Sequence, residues 1–415
     1  MGPESKWVER VDRLGRSLRL LQIEDSKMLL GEMRAEIHAV LQRKEQSETQ
    51  TLRALIGDDS AKLLVYFGLA VDFDAEYAST LRILVAEFEQ TDKGSLRLHT
   101  LACLGLAGGL IEFFNQSYNS ALGCFNEAER DVSRAGDREL MVITGYYLAR
   151  CHWRLHDYET AIRFAARARE QEEAIEGSKR AALIQLLQGY LELLRGKYDE
   201  SSRLLEMAEG ILRETDDYLS LGNAISFRGQ RLRRMGLYQE AINAFEEAKD
   251  VFEDHAPNHR NWARCLANNA VALRLQAQKM PKRNAGTSDS DYRRLVIETA
   301  QWLRADAQRD LDKALRIYRG DERGIAKCRY TRALCRLDEY RLMEEYKLTA
   351  KDLDEHERSG NDKNDDKDKV LHKAESDAKE AYRLGAKLHD DLVSARAAIT
   401  LCQIQLVTPK ANGVK

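Results

Sequence analysis

A tyrosine recurs every 40 residues through the middle of the chain, and this period constrains the fold more than any other feature. The four are Tyr118, Tyr158, Tyr198 and Tyr238. A small residue lies three positions after each, an alanine ten positions after, and a glycine or alanine nine positions before. These residues are Ala121, Ala161, Ser201 and Ala241; Ala128, Ala168, Ala208 and Ala248; and Gly109, Ala149, Gly189 and Gly229. Such a fixed period is the signature of a repeat solenoid, predicted here over about residues 98–254.

The residues around each tyrosine predict what one repeat is. Tyr238 opens a run with small and apolar residues at helical spacing. Gly196 and Gly236 precede two of the tyrosines and suit the left-handed residue that ends a helix. Each unit is therefore predicted to be helix A, a tight turn and helix B. The small residue nine positions before the tyrosine would let the two helices approach closely.

This pattern resembles the tetratricopeptide repeat (TPR) family, whose consensus places small residues and one aromatic residue at corresponding positions. The period of 40 is longer than the family's usual value of about 34, and the closing proline is absent. The resemblance implies a scaffold or ligand-binding solenoid. It names no partner, because one fold hosts many functions.

The apolar periodicity extends the prediction to the whole chain. We expect an all-α fold: a right-handed TPR-like α-solenoid of about six helical hairpins, with an N-terminal helical cap and a C-terminal capping helix. The predicted parts are a cap or small bundle over 1–57, a repeat region over 58–407 and a tail over 408–415. Polar, glycine- and proline-containing stretches predict loop insertions at 280–291 and 351–369.

Composition narrows the function classes. A formal net charge of −3 argues against a generally basic nucleic-acid binder. No stretch approaches the roughly 20 apolar residues of a membrane span, and no signal peptide opens the chain. The seven cysteines include no CxxC pair and suit a reducing compartment. We therefore expect a cytoplasmic protein, bacterial in style.

The candidate metal-binding motifs of the sequence lack residues that such sites require. His152 and His156 share a helical face, but Trp153 follows the first histidine where a zinc protease needs glutamate. The acidic run from Asp362 places Lys367 and Lys373 where a calcium loop needs glycine and glutamate. No catalytic set emerges, and we expect no enzyme activity, no metal and no cofactor.

The TPR resemblance implies which residues face the concave groove of helices A. Through the tyrosine register, the N-terminal part of this groove is apolar and aromatic and the C-terminal part is rich in arginine. The predicted groove residues are Leu110, Phe113, Phe114, Tyr146, Arg150, Trp153, Arg154, Tyr190, Asn223, Gln230, Arg233, Arg234, Arg274, Arg329, Arg332 and Arg336.

Two interpretations of these residues remain open. In one, the arginines pair with acidic residues of helices B, and the apolar residues pack against the N-terminal bundle. In the other, the groove binds a protein or peptide segment with an apolar and an acidic portion. Arginine suits the second interpretation because its planar donor fork matches carboxylate and phosphate.

Three functions are compatible with this architecture. The first is a non-enzymatic scaffold or adaptor that binds a protein or peptide, as a subunit of a larger complex. The second is a ligand-sensing regulator with the N-terminal bundle as output module, because the layout resembles the Rap family of peptide-responsive regulators. That similarity concerns layout only and assigns no residue a role. The third, nucleic-acid binding through the arginines, is disfavoured by the acidic balance.

Overall fold

The computed structural model describes residues 3–44, 56–72, 74–90, 94, 96–279, 288–353 and 365–408, and over these residues it is helical with no strand. The chain divides into two compact units, Met1–Ser220 and Leu221–Lys415, here called unit 1 and unit 2. The fold class is the predicted one, an all-α, TPR-like succession of helical hairpins.

Unit 1 begins with a helical hairpin and continues into the repeats. A short 3-10 turn, Asp58–Ser60, separates the two parts. The helices are α1 (Pro3–Arg19), α2 (Ile23–Lys44), α3 (Lys62–Ala70), α4 (Tyr77–Glu89), α5 (Leu98–Phe114), α6 (Tyr118–Ala135), α7 (Arg138–Arg154), α8 (Tyr158–Glu173), α9 (Ala181–Leu194) and α10 (Tyr198–Leu212). Helix α11 (Tyr218–Arg234) begins in unit 1 and continues into unit 2.

Unit 2 repeats the hairpin arrangement, and its longest helices have 24 and 23 residues. A π-helical turn, Trp302–Ala307, joins α14 to α15. The helices are α12 (Tyr238–His255), α13 (Arg260–Gln278), α14 (Asp289–Gln301), α15 (Gln308–Ile317), α16 (Glu322–Glu345), α17 (Ala350–Leu353), α18 (Asp365–Lys387) and α19 (Asp391–Val407). Helix α16 packs on α18, and α18 packs on the terminal helix α19.

The tyrosine register is confirmed, since each of the four tyrosines is the first residue of a helix B. Two positions before each tyrosine, the backbone is left-handed. The φ angles are 65° at Gln116, 65° at His156, 79° at Gly196 and 81° at Gly236. Glycine at two of these positions predicted the turn, whereas Gln116 and His156 adopt the same conformation without that signal.

The small residues of the register lie where two helices meet. A Cβ atom on Gly189 would lie 2.9 Å from the Leu205 side chain, and one on Gly229 would lie 2.8 Å from the Phe245 ring. The small residues that lie three and ten positions after each tyrosine are also buried. Close contact between helix A and helix B therefore accounts for the sequence pattern.

The N-terminal hairpin α1–α2 shares one continuous core with the first repeats. Trp7, Leu14 and Met33 belong to the same buried cluster as Phe67 of α3 and Phe125 of α6. The compact unit thus includes the hairpin and ends at Ser220, and residues 1–57 do not form a compact unit of their own.

The two predicted insertions are shorter than expected where the structure describes them. Ser288 caps α14 through its side chain, so a helix already begins at Asp289 inside the predicted loop 280–291. Helix α17 and the start of α18 occupy both ends of the predicted loop 351–369. Leu353 is buried with Met343 and Leu348 because its side chain completes a small apolar cluster. Residues 280–287, 354–364 and 409–415 lie outside the described residues.

Candidate functional site

Four aromatic rings and one arginine form a surface on three successive helices A of unit 1, here called the aromatic surface. Its members are Phe114 of α5, Tyr146, Trp153 and Arg154 of α7, and Tyr190 of α9. All four rings are half-buried, and Arg154 is exposed. Trp153 and Tyr190 meet edge to face with ring centroids 5.4 Å apart. The Arg154 guanidinium carbon lies 4.3 Å from the Trp153 ring centroid and 5.9 Å from that of Tyr118.

Arg150, beside this surface, is held by protein groups. Its Nη1 donates to Asp72 Oδ2 at 2.9 Å. Its guanidinium carbon lies 4.7 Å from the Phe113 ring centroid and 4.9 Å from that of Tyr147. Burial is the largest single influence and would lower the pKa of Arg150, but the Asp72 carboxylate together with Tyr146 and Tyr147 raises that pKa well above its ordinary value. Arg150 is therefore charged, and its contacts with Asp72 and the rings hold it in place beside the aromatic surface.

Two predicted groove residues of unit 1 lie in the core. Leu110 is 0% exposed and packs so closely on Gly68 of α3 that no side chain would fit there. Phe113 is 4% exposed and meets Tyr147 edge to face at 5.3 Å. Both belong to the cluster that contains the N-terminal hairpin, as the first interpretation expected.

In unit 2 the predicted residues of α11 divide by exposure. Asn223 accepts a hydrogen bond from Arg264 Nη2 at 3.1 Å, and Gln230 is buried. Arg233 is half-buried and Arg234 is exposed. Helix α11 therefore presents an arginine at its C-terminal end, where a cation interacts favourably with the helix dipole.

Three arginines of α16 surround a single carboxylate, Asp377 of α18. Arg332 donates from Nε and Nη2 to the two carboxylate oxygens at 2.8 Å each. Arg329 Nη1 donates at 2.6 Å, and Arg336 also donates to this group. Asp377 is 1% exposed. Burial would raise its pKa, but the hydrogen bonds from Arg332 and Arg329 outweigh burial and lower it. We call these four residues the Asp377 cluster.

The fourth arginine outside α11 is paired as well. Arg274 Nε of α13 donates to Asp338 of α16 at 2.7 Å. The first interpretation thus describes Arg329, Arg332 and Arg336, which form ion pairs with an acidic residue of a helix B. Arg274 pairs with Asp338, which lies on the next helix A. Asp377 instead lies on the apolar stripe of a helix B, which is the sequence signal for a buried charge.

The two histidines of α7 and its turn serve the hairpin. His152 Nδ1 lies 3.1 Å from Asp157 Oδ2, and the His152 ring stacks on Phe164 at 5.4 Å. His156 adopts the left-handed turn conformation and lies 3.1 Å from the Tyr158 hydroxyl. In the part of the chain that the structure describes, no cluster of three or more histidine, cysteine, aspartate or glutamate residues could hold a metal ion.

Sequence reasoning missed the polar contacts that hold the N-terminal hairpin. Glu139 of α7 accepts from Arg19 at 3.3 Å, Lys62 at 3.1 Å, Tyr66 at 3.1 Å and Arg180 at 3.3 Å. Burial would raise the pKa of Glu139, but the charges of Arg180 and Lys62 outweigh burial and lower it. The partners come from α1, from α3 and from the residue before α9, so no local sequence pattern predicts them.

Asp216 provides a second attachment. It lies just before α11, and its carboxylate accepts the backbone N–H groups of Ile23 at 2.6 Å and Glu24 at 3.1 Å. These groups lie at the start of α2, where helical N–H groups have no partner within their own helix. A residue far along the chain therefore caps α2.

Solved structures with a similar fold cover nearly the whole chain. A Rap protein complexed with competence and sporulation factor has a TM-score of 0.57 at 12% identity, over 97% of this chain and 98% of that one. The apo quorum sensor NprR from B. thuringiensis has a TM-score of 0.54 at 15% identity, over 97% and 99%. The APC/C hetero-tetramer Cut9-Hcn1 has a TM-score of 0.56 at 13% identity, over 94% of this chain and 54% of that one.

These similarities support a TPR-like fold with a Rap-type layout. No family model matches the chain, and no curated protein matches its sequence. Among the described residues, no helix has both the length and the apolarity to cross a bilayer.

Proposed function

We propose that this protein is a non-enzymatic scaffold that binds a peptide or protein segment on the aromatic surface of unit 1. The observation that carries the proposal is the half-burial of Phe114, Tyr146, Trp153 and Tyr190 on three successive helices A. Large rings with one face exposed bury apolar ligand area at low cost in conformational entropy. Aromatic residues of this kind dominate the binding energy of many interfaces.

The aromatic surface suits a segment with an apolar and an acidic portion. The rings would take the apolar side chains. Arg154 is exposed beside Trp153 and contributes positive charge that attracts a carboxylate and raises its association rate. Arg332 and Arg336 of unit 2 fit this role less well, because their side chains are largely buried around Asp377.

The similar structures support a polypeptide partner. One is a complex with competence and sporulation factor, and another is a hetero-tetramer of Cut9 with Hcn1. A cytoplasmic protein of bacterial style that acts through protein–protein contacts remains part of this proposal. The similarity concerns the fold of this chain, and the partner has to be identified by experiment.

Selection from a random peptide library displayed on phage tests this proposal. The full-length protein should enrich peptides that combine aromatic or aliphatic residues with aspartate or glutamate. Trp153→Ala combined with Tyr190→Ala should weaken binding of the selected peptides at least tenfold, measured by calorimetry. Tyr382→Ala is the matched control, because Tyr382 is an exposed aromatic residue on α18 of unit 2.

Salt dependence separates the two portions of the surface. Arg154→Gln should reduce both the affinity and its decrease with added salt, since it removes one charge. The Trp153 and Tyr190 double variant should lower affinity without changing the salt slope. Peptides that bind the double variant as tightly as the wild type would contradict the proposal.

A ligand-sensing regulator is a second candidate, and the attachment of the N-terminal hairpin favours it. Helices α1 and α2 are held through Glu139 and Asp216, and the layout is Rap-type. Deletion of 1–57 is a poor test because it would open the shared core. Hydrogen exchange of residues 3–44 with and without a selected peptide is better. A regulator should show changed protection there, and a simple scaffold should not.

A further inference from the structure

The terminal helix α19 has two apolar faces. One contains Val393, Ala397, Thr400 and Ile404, which are buried where α19 packs on α16 and α18. The opposite face is also apolar but exposed. Its large residues are Leu392 at 59% exposure, Ile399 at 58% and Leu406 at 85%. Large apolar residues that are exposed together on one helix face require explanation.

The exposed residues keep a coiled-coil spacing, and we call them the α19 stripe. They are Leu392, Ala395, Ile399, Cys402 and Leu406, all exposed. Successive members are separated by three, four, three and four residues. That average of 3.5 is the a/d period of a coiled-coil seam, which selects a second helix of the same period.

The charged residues that flank the α19 stripe indicate which helix could pair with it. With Leu392, Ile399 and Leu406 at a positions, Asp391 lies at g and Arg396 at e. In a parallel pair, a g residue faces the e residue five positions later on the other helix. Asp391 of each copy would then meet Arg396 of the other. In an antiparallel pair, e residues face e residues and g residues face g residues. Both Asp391–Arg396 contacts would then be lost.

We propose that the α19 stripe is a homodimer interface in which two copies of this chain pair their terminal helices in parallel about a two-fold axis. Each stripe residue meets its own counterpart, as an isologous interface requires. The contact involves one 17-residue helix from each copy. Interfaces this small are weak, with dissociation constants on the order of micromolar.

Sedimentation velocity of the full chain over a concentration series tests for the dimer. The weight-average mass should approach twice 47.4 kDa as concentration rises. Ile399→Asp should weaken dimerisation at least tenfold, because it places two carboxylates in the same layer. Gln405→Asp adds the same charge to the same helix outside the stripe and should leave dimerisation within about threefold of wild type. Circular dichroism should show equal helix content in both variants, since both side chains are exposed.

Charge exchange tests the parallel register. Arg396→Asp should weaken the dimer, because it opposes Asp391 of the other copy. Adding Asp391→Arg should restore the dimer, because the pairs re-form with reversed sign. A short bis-maleimide should also cross-link the two Cys402 thiols, and Cys402→Ser should abolish that product.

Clear outcomes overturn the proposal. A wild-type protein that stays monomeric at all concentrations shows that a second copy of this chain does not cover the α19 stripe. A dimer that Ile399→Asp leaves intact lies on another surface. A dimer that Ile399→Asp disrupts, but that the charge exchange does not restore, is not parallel as proposed.

Discussion

The helices A of units 1 and 2 differ in how their polar groups are satisfied. In unit 1, aromatic rings form the candidate surface, and the predicted groove residue Arg150 pairs with the partly exposed Asp72. In unit 2, three arginines of α16 share the buried Asp377, and Arg274 pairs with Asp338. The same repeat positions therefore serve as a candidate binding surface in one unit and as structural ion pairs in the other.

The difference shows that repeat position alone does not decide function. Arg150 and Arg332 both lie on helices A, and both were predicted to line the groove. Their partners are far from them in sequence: Asp72 lies in the turn after α3, and Asp377 lies on α18. A half-buried ring can bind a ligand on its exposed side, whereas a buried arginine must first give up its carboxylate.

Removal of the shared carboxylate should have the largest effect. Asp377→Asn leaves three arginines around a neutral group, and loss of one partner from a buried pair costs about 3–5 kcal/mol. Asp72→Asn should cost less than this, because the Asp72 carboxylate is partly exposed and its pair with Arg150 is incompletely desolvated. Denaturant melts combined with hydrogen exchange would assign each loss to its unit. Equal losses would remove the distinction between the two units.

The Glu139 contacts in unit 1 should show an intermediate effect that depends on pH. Its lowered pKa means that its contribution is fully present above its ordinary value of 4.5 and is lost as pH falls through the lower folded value. Glu139→Gln should therefore cost about 1.5–3 kcal/mol at neutral pH, the range for hydrogen bonds to charged groups. The gap from wild type should narrow as the pH falls below 4.5. A gap that stays constant as the medium is acidified would exclude ionisation of Glu139 as its cause.

Helices A and B pack closely in both units. Equivalent substitutions at these contacts should therefore destabilise both units to a similar degree. Gly189→Leu in unit 1 and Gly229→Leu in unit 2 should each cost about 1–3 kcal/mol, as overpacking does. Increased hydrogen exchange should stay near the changed repeat, because each repeat contacts its neighbours. Gly210→Leu is the control, since a Cβ there meets no atom within 4 Å. Unchanged melting of both variants would show that the hairpins pack differently.

The smallest effect concerns the polar segment between α17 and α18. Residues 354–364 contain no aliphatic or aromatic core residue, and a Gly/Ser segment of equal length should change stability by about 0.5 kcal/mol or less. Leu353→Ser is the contrasting change, because Leu353 is buried beside this segment. It should lower the melting temperature clearly. If the replacement is as costly as Leu353→Ser, the segment contributes packing of its own.

The sequence alone determined the hairpin architecture. Four tyrosines at one interval, with small residues at fixed offsets, located each helix B at its first residue. The pattern is readable because contacts within a hairpin link residues at constant separations along the chain. Amphipathic spacing likewise predicted α1 and α2.

The tertiary structure decided which of the predicted site residues are available. Leu110 became core because Gly68 of another hairpin lies against it, and Arg332 became structural because Asp377 lies opposite. Asp216 and Glu139 hold the N-terminal hairpin across large sequence separations. Such contacts have no period. Helical spacing specifies which face a side chain occupies, but only the packing of different helices specifies what that face meets.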